Sequence, residues 1–257
     1  MDLGIKGKKA LVCGASAGMG RAIAHALSAE GVDVMMCART ESSLKEAAIG
    51  AKAHYFACDL SVDADRQKLA KAVRDQLGSL DILIHNTGGP KPSTAENTTD
   101  EQWKGGFESL FMSVVHLNEM FVPAMKEKRW GRIINVTSLS VQEPIAGLAV
   151  SNAIRSAATA MLKNLSDELA PFNITVNCVA PGSISTGRIT DLIESRAKTS
   201  GVSVEEYEKE YIKAIPAQRL GTPEEFANVV AFLVSEKASY VTGSTIAVDG
   251  GRRRSTY

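Results

Sequence analysis

The sequence predicts an α/β fold, in which one parallel sheet lies between two layers of helices. Short apolar runs alternate along the whole chain with longer segments of helical periodicity, which is the pattern of a parallel sheet covered on both faces. A length of 257 residues with 44% hydrophobic residues fits one domain around one core. No internal repeat or low-complexity linker divides the chain, so a single domain over 1–257 is expected.

Each element is predicted from a local pattern. Seven apolar runs are the candidate strands, at 10–13, 32–37, 54–58, 80–85, 131–136, 173–179 and 244–248. Helical periodicity marks 18–30, 62–77, 100–127, 150–170 and 222–235, and a short helix fits 41–49.

The longest departure from this rhythm is 183–218, which is rich in Ser, Thr, Lys and Glu; Tyr207 and Tyr211 are four apart within it, a spacing that would suit a helix. Ligands of doubly wound sheets bind at the carboxyl ends of strands, so this segment could cover the pocket as a lid. The alternative is a solvated surface excursion.

Charge and composition bear on partners and location. Lys and Arg together number 29, as do Asp and Glu, so no global field would attract nucleic acid or an anionic membrane. No apolar run of membrane-spanning length or secretory signal is present, and we expect a cytoplasmic protein. Spacing predicts no metal site for the histidines and buried, reduced thiols for the cysteines, which are Cys13, Cys37, Cys58 and Cys178.

A glycine-rich turn follows the first predicted strand. Its glycines are Gly14, Gly18 and Gly20, with Ser16 and Met19 between them, and a helix begins directly afterwards. Such a turn lets a diphosphate approach the backbone, and the first amides and the dipole of the helix attract its charge. The spacing is GxxxGxG, and the turn predicts dinucleotide binding. Glycines with a purely steric role are the alternative.

Residues at the ends of the second, third and fourth strands indicate which cofactor is bound. Arg39 and Thr40 follow the second strand, where an acidic residue would accept hydrogen bonds from the ribose hydroxyls of NAD(H). A guanidinium there can pair with a 2′-phosphate, which favours NADP(H) over NAD(H). After the third and fourth strands come residues placed to meet adenine and its ribose, namely Asp59 and Leu60, and Asn86, Thr87 and Gly88.

These motifs together resemble the short-chain dehydrogenase/reductase family, and in particular its 3-oxoacyl-carrier-protein reductase-like branch. The resemblance runs nearly end to end, and its motifs lie at 14–20, 59–60, 86–88, 133–138, 177–182 and 248–251. It implies a three-layer Rossmann fold whose seven-stranded parallel sheet has the order 3-2-1-4-5-6-7, with helices on both faces. It also implies a nicotinamide dinucleotide and often a homotetramer.

The resemblance implies four catalytic positions, and in this chain three of them hold other residues. Family members of this kind use a serine, a tyrosine thirteen residues later, a lysine four beyond it, and an asparagine in the preceding helix. Here Ser138 stands at the serine position, but Ser151 and Arg155 replace the tyrosine and lysine, and Leu110 replaces the asparagine. A serine hydroxyl is a far weaker acid than a phenol, and an arginine keeps its proton, so neither can act as the original pair would.

Other residues complete the predicted site. Pro181 and Gly182 turn the chain after the sixth strand, so that Ile184 and Thr186 could hold the nicotinamide half; the alternative is an ordinary loop. Arg155 could bind the nicotinamide ribose or a substrate carboxylate.

The residue that could replace the tyrosine as proton donor, and the role of the chain end, are predicted less specifically than the cofactor site. Glu143, Tyr207 and Tyr211 are candidate donors, each also explained as a surface or packing residue. The pocket segments offer Lys91, Glu143 and Arg188, which permit an acidic or an acyl-chain ligand. The basic cluster of residues 252–254 predicts a solvated tail or a subunit contact.

The sequence therefore predicts an NADP(H)-dependent oxidoreductase acting on a carbonyl or secondary alcohol of a small molecule, with a remodelled catalytic site. Two alternatives stay open. One is a dinucleotide-binding protein without redox turnover, such as a sensor or assembly subunit, and the other is a lyase or isomerase reusing the pocket.

Overall fold

A computed structural model of the chain describes residues 1–256. Seven parallel strands form one sheet in the order β3-β2-β1-β4-β5-β6-β7, which confirms the predicted fold class. The strands are β1 (Lys9–Cys13), β2 (Asp33–Ala38), β3 (His54–Ala57), β4 (Ile82–His85), β5 (Gly131–Val136), β6 (Ile174–Pro181) and β7 (Thr245–Val248). All six residues of β5 are buried, as expected for a central strand covered on both faces.

Helices cover both faces of this sheet. They are α1 (Gly18–Ala29), α2 (Glu41–Ala51), α3 (Asp63–Leu77), α4 (Asp100–Phe107), α5 (Ser113–Lys128), α6 (Ala149–Leu169), α7 (Gly187–Ser200), α8 (Val204–Lys213) and α9 (Pro223–Leu233). One face of the core holds apolar side chains of α1, α2 and α9, and the other holds those of α3, α5 and α6. The strand order reverses between β1 and β4, which opens a crevice at the carboxyl ends of these strands.

One predicted helix differs from the structure, and the segment 183–218 holds one helix more than the candidate around Tyr207 and Tyr211. The helix predicted over 100–127 is interrupted by a π-helical segment at Glu108–Met112, where the backbone winds more loosely between α4 and α5. The segment 183–218 contains two helices, α7 and α8, that pack on each other. The apolar residues of α7 are too few for its periodicity to stand out, since only Ile193 and Ala197 are buried.

The four cysteines are buried and unpaired. Among residues 1–256, no helix combines the length and apolarity needed to cross a membrane. Over the same residues, no His, Cys, Asp and Glu side chains gather in a group that could hold a metal ion.

Candidate active site

The glycine turn between β1 and α1 forms a cradle that side chains would fill. Gly14 and Gly18 have positive φ angles of 57° and 54°. A Cβ atom at Gly20 would overlap the carbonyl oxygen of Gly14, and one at Gly14 would overlap that of Asn86. Helix α1 begins without a side-chain cap and has no acidic residue in its first turn. Its free amides and positive dipole end therefore suit an anionic group, and the residues present fit a dinucleotide diphosphate.

Neighbouring loops hold this cradle in place. The Asn86 side-chain amide, at the end of β4, donates to the carbonyl oxygens of Cys13 at 3.2 Å and Gly14 at 3.1 Å. Thr186, just before α7, brings its methyl group to 3.1 Å from the point where a Cβ of Gly18 would lie. Ser16 and Met19 are half-buried beside these glycines. The structure thus brings together the residues predicted to bind the diphosphate. The Asn86 side-chain amide holds the glycine turn through its two hydrogen bonds.

The ends of β2 and β3 form an exposed corner next to this cradle. Arg39 and Thr40 are exposed, and Thr40 precedes α2 without capping it through its side chain. Asp59 Oδ1 accepts hydrogen bonds from the amide of Ser61 at 2.9 Å and its hydroxyl at 2.7 Å. Burial alone would raise the pKa of Asp59, but these two hydrogen bonds and the nearby charge of Arg39 lower it overall. Leu60 is half-buried, and its carbonyl is held by Arg66 Nη1 at 2.7 Å.

Ser138 follows the carboxyl end of β5, and Arg155 contacts the last residue of that strand. The Oγ of Ser138 accepts a hydrogen bond from the amide of Ser140 at 3.1 Å, which leaves the Ser138 proton free to be donated. Arg155 Nη1 donates to the carbonyl of Val136 at 3.0 Å, and Nη2 lies 3.4 Å from the carbonyl oxygen of Thr87 and 3.5 Å from that of Gly88. The guanidinium therefore bridges the ends of β4 and β5.

Arg155 is a buried cation, with only 7% of its surface exposed. Burial, followed by the charge of Arg188, lowers the pKa of Arg155 to about 10. The group consequently stays protonated at neutral pH and offers a fixed charge.

Ser151 lies one turn before Arg155 on α6 and is 4% exposed. Within residues 1–256 its hydroxyl has no hydrogen-bond partner. Leu110 is buried in the π-helical segment, which packs on α6. A Cβ at Gly106 would overlap the side chain of Val150, so α4 approaches the start of α6 closely.

The loop after β6 closes the far side of the crevice. A Cβ at Gly182 would lie 2.6 Å from the Cα of Asp249, so Pro181 and Gly182 run against the end of β7. Ile184 is buried, and Thr186 Oγ1 donates to its carbonyl at 3.3 Å.

The proposed proton donors are placed differently from one another. The Tyr211 hydroxyl lies 2.8 Å from Ser183 Oγ, whereas Tyr207 is half-buried on α8. The carboxylate of Glu143 accepts hydrogen bonds from the amides of Arg254 at 3.0 Å and Ser255 at 2.5 Å, so it is engaged by the chain end.

Arg252 corrects the prediction of a solvated tail. Its guanidinium lies 4.6 Å from the centre of the Tyr211 ring and donates to Ser183 Oγ. Sequence reasoning missed this contact because it joins residues about seventy positions apart, and no local pattern reports such a pairing.

Comparison with known proteins agrees with this geometry. The family model described as enoyl-(acyl carrier protein) reductase matches residues 14–253. The NADPH-dependent reductase BacG of Bacillus subtilis is 34% identical over 96% of this chain and 98% of its own length. The 3-oxoacyl-[acyl-carrier-protein] reductase FabG of Escherichia coli is also 34% identical, over 97% of this chain and 98% of its own.

A solved structure is similarly close. L-sorbose reductase from Gluconobacter frateurii, complexed with NADPH and L-sorbose, superposes with a TM-score of 0.95 at 32% identity, covering 99% of this chain and 100% of the other.

Proposed function

Because the chain belongs to the short-chain dehydrogenase/reductase family, we propose that it is an NADP(H)-dependent oxidoreductase of the 3-oxoacyl reductase-like kind, acting on a carbonyl or secondary alcohol of a small molecule. The observation that carries this proposal is the glycine cradle after β1, together with Arg155 held at the end of β5, two residues before Ser138.

The residues that would hold NADP(H) line one continuous path. The diphosphate would lie on the uncapped start of α1, with Thr186 on its other side, and the 2′-phosphate would meet Arg39 and Thr40. The full set is Gly14, Ser16, Gly18, Met19, Gly20, Arg39, Thr40, Asp59, Leu60, Asn86, Thr87, Gly88, Arg155, Pro181, Gly182, Ile184 and Thr186. When bound, the cofactor supplies or accepts a hydride. BacG is named an NADPH-dependent reductase, and the sorbose reductase structure contains NADPH, which supports this cofactor here.

Ser138 would polarise the substrate oxygen in this mechanism. One of its lone pairs accepts from the Ser140 amide, and its proton would be donated to a substrate carbonyl or alkoxide oxygen. Arg155 would add a fixed positive charge, held by backbone carbonyls, which stabilises negative charge developing nearby without transferring a proton. The Ser151 hydroxyl would donate to the same oxygen and relay a solvent proton in this proposal, but it does not ionise as a phenol would.

The proposal includes a lid over the site, formed by the segment 183–218 with its helices α7 and α8. They follow the carboxyl end of β6, where ligands of such sheets bind. Tyr211 of α8 contacts Ser183 at the base of the segment, so the helix pair has an attachment beside the crevice.

Assembly and location complete the proposal. We expect a homotetramer in the cytoplasm, as the family resemblance implies. Light scattering of the purified protein measures the subunit number.

A second candidate, a dinucleotide-binding protein without redox turnover, is favoured by one observation. The buried Leu110 occupies the π-helical segment against α6, where an apolar side chain cannot pass a proton. With Ser151 in addition, two proton-handling positions of the family lack suitable groups.

Turnover of NADPH with a panel of ketones, oxo acids and 3-oxoacyl thioesters separates these candidates. We expect carbonyl-dependent NADPH oxidation by the natural protein and a loss of about 100-fold in kcat for Ser138→Ala, as for removal of one oxyanion donor. Ser156→Ala, whose hydroxyl bonds to the carbonyl of Asn152 within α6, is the control and keeps its activity.

NADPH binding without oxidation on any member of the panel would instead establish the second candidate. The double variant Ser151→Tyr with Arg155→Lys then tests whether the pocket still accepts ordinary carbonyls. Gain of turnover by this variant would show that the missing proton chemistry is the cause.

A further inference from the structure

Two guanidinium groups meet at one dipeptide after β4. Arg155 Nη2 approaches the carbonyl oxygen of Gly88. The guanidinium of Arg188, from the first turn of α7, lies against Gly89, where a Cβ would overlap it. Arg155 is buried, whereas Arg188 is exposed. The two cations therefore lie at adjacent residues of one loop, close enough for the charge of Arg188 to act on Arg155.

Neither cation has a carboxylate partner among the described residues. The described salt bridges include neither arginine, and Arg155 is held only by backbone carbonyls. Its contacts with Thr87 and Gly88 are long, so Nη2 keeps capacity to donate to another acceptor. Buried charges in folded proteins are normally paired, and two neighbouring cations repel each other. The lowered pKa of Arg155, caused by burial and then by Arg188, reflects this missing counter-charge.

Resting on the proposed function, we infer that the substrate is a short oxo acid, or the corresponding hydroxy acid, whose carboxylate is held between Arg155 and Arg188. Planar guanidinium groups match a carboxylate through paired hydrogen bonds. Arg155 contacts the carbonyl of Val136, two residues before Ser138, so a substrate whose carbonyl meets Ser138 would have its carboxylate only a few bonds away.

The cofactor is the competing source of negative charge. Its diphosphate, however, would lie at Gly18, beside Thr186, whereas the Arg188 guanidinium is turned to Gly89 at the end of β4. Glu143, the acidic side chain of the loop after Ser138, is held by the amides of Arg254 and Ser255 and does not neutralise either arginine. The substrate is thus the better source of the counter-charge.

Matched acids and esters test this inference. Binding of pyruvate, acetoacetate and levulinate, and of their methyl esters, is measured by calorimetry on the protein saturated with NADP⁺, and reduction is measured separately with NADPH. We expect at least one acid to bind more tightly than its ester by about 10-fold or more. Arg188→Gln should weaken that acid about 10- to 100-fold and leave the ester and the Kd of NADP⁺ unchanged.

Arg196→Gln is the matched control, because Arg196 lies on the exposed side of the same helix and loses the same charge. Equal binding of all acids and esters, no binding of any acid, or an Arg188→Gln effect confined to NADP⁺ would each overturn the inference. Preferential acid binding without reduction would uphold the carboxylate site while refuting the proposed redox function. Equal reduction of esters and acids would support the proposed redox function and refute the carboxylate site.

Discussion

Arg39 is the side chain that we propose to set the preference for NADP(H). It is exposed at the end of β2, and its charge acts on Asp59 at the end of β3. Asp59 is occupied by the amide and hydroxyl of Ser61, so it does not hold Arg39 in a fixed ion pair. The guanidinium is consequently available to a phosphate ester at this corner.

Replacing Arg39 with Ala should therefore remove the preference for the phosphorylated cofactor. Hydrogen bonds to charged groups are worth about 1.5–3 kcal/mol, so we expect NADPH to bind about 10- to 100-fold more weakly. The affinity for NADH should hardly change. Fluorescence titration with both cofactors measures this, with Arg74→Ala on α3 as an exposed control. A parallel loss for NADH would contradict the assignment.

Residue identities at the site were predictable to different degrees. The glycines of 14–20 and Arg39 lie in local sequence patterns that are typical of binding to a diphosphate and to a 2′-phosphate, so they can be predicted from the sequence alone. The approach of Arg188 to Gly89 joins residues about a hundred positions apart and depends on the direction in which α7 leaves β6. Periodicity along the chain carries no information about such a meeting.

At the scale of elements, the turn from β1 to α1 depends on backbone contacts that tolerate no side chain. Gly20 lies in α1 with ordinary helical geometry, yet its α-carbon faces the carbonyl of Gly14 and the amide of Asn86. The constraint at Gly20 is therefore steric contact and not conformational freedom.

We expect Gly20→Ala to force these segments apart. Overpacking of a tight site costs about 1–3 kcal/mol in the free energy of unfolding, and displacement of the cradle should weaken NADPH binding as well. Urea unfolding and cofactor titration measure the two effects. The control, Gly105→Ala on α4, adds a methyl group with no atom within 4 Å and should be neutral or slightly stabilising. An equally stable, fully binding Gly20→Ala variant would refute the cradle.

The π-helical segment Glu108–Met112 illustrates what element prediction cannot capture. Its residues continue the polarity pattern of α4 and α5, so a single helix over 100–127 is the natural interpretation. The looser winding occurs where the segment packs against α6, a tertiary contact that periodicity along the chain does not report. By contrast, the strands are found almost at their predicted positions, because fully buried parallel strands are short, continuous apolar runs.

For the whole molecule, stability should depend on pH through one buried histidine. His85 at the end of β4 is 2% exposed, and its Nε2 lies 3.0 Å from Asn118 Oδ1 on α5. Burial lowers its pKa from 6.5 to about 4, against the opposing effect of the Asn118 hydrogen bond. Between these values the unfolded chain binds a proton that the folded chain does not.

The free energy of unfolding should therefore fall as the pH is lowered from about 6.5 to about 4, by about 3 kcal/mol from this group. His85→Gln keeps a donor for Asn118 but has no proton to bind, so it should lose this part of the pH dependence. Urea unfolding at several pH values measures the difference. The exposed His25→Gln is the control, and identical pH profiles for natural protein and His85→Gln would show that His85 does not contribute.

The close contact between Gly106 and Val150 determines the separation of α4 and α6, so substitutions at these two positions would change the width of the interior between the helices. Neither residue belongs to the catalytic set, yet together they fix how near α4 stands to the first turn of α6. A bulkier group at 106 would wedge the helices apart, and a smaller one at 150 would let them settle inward. Substitutions at this pair, which acts as a spacer, are the place to begin when fitting the protein to larger or smaller compounds.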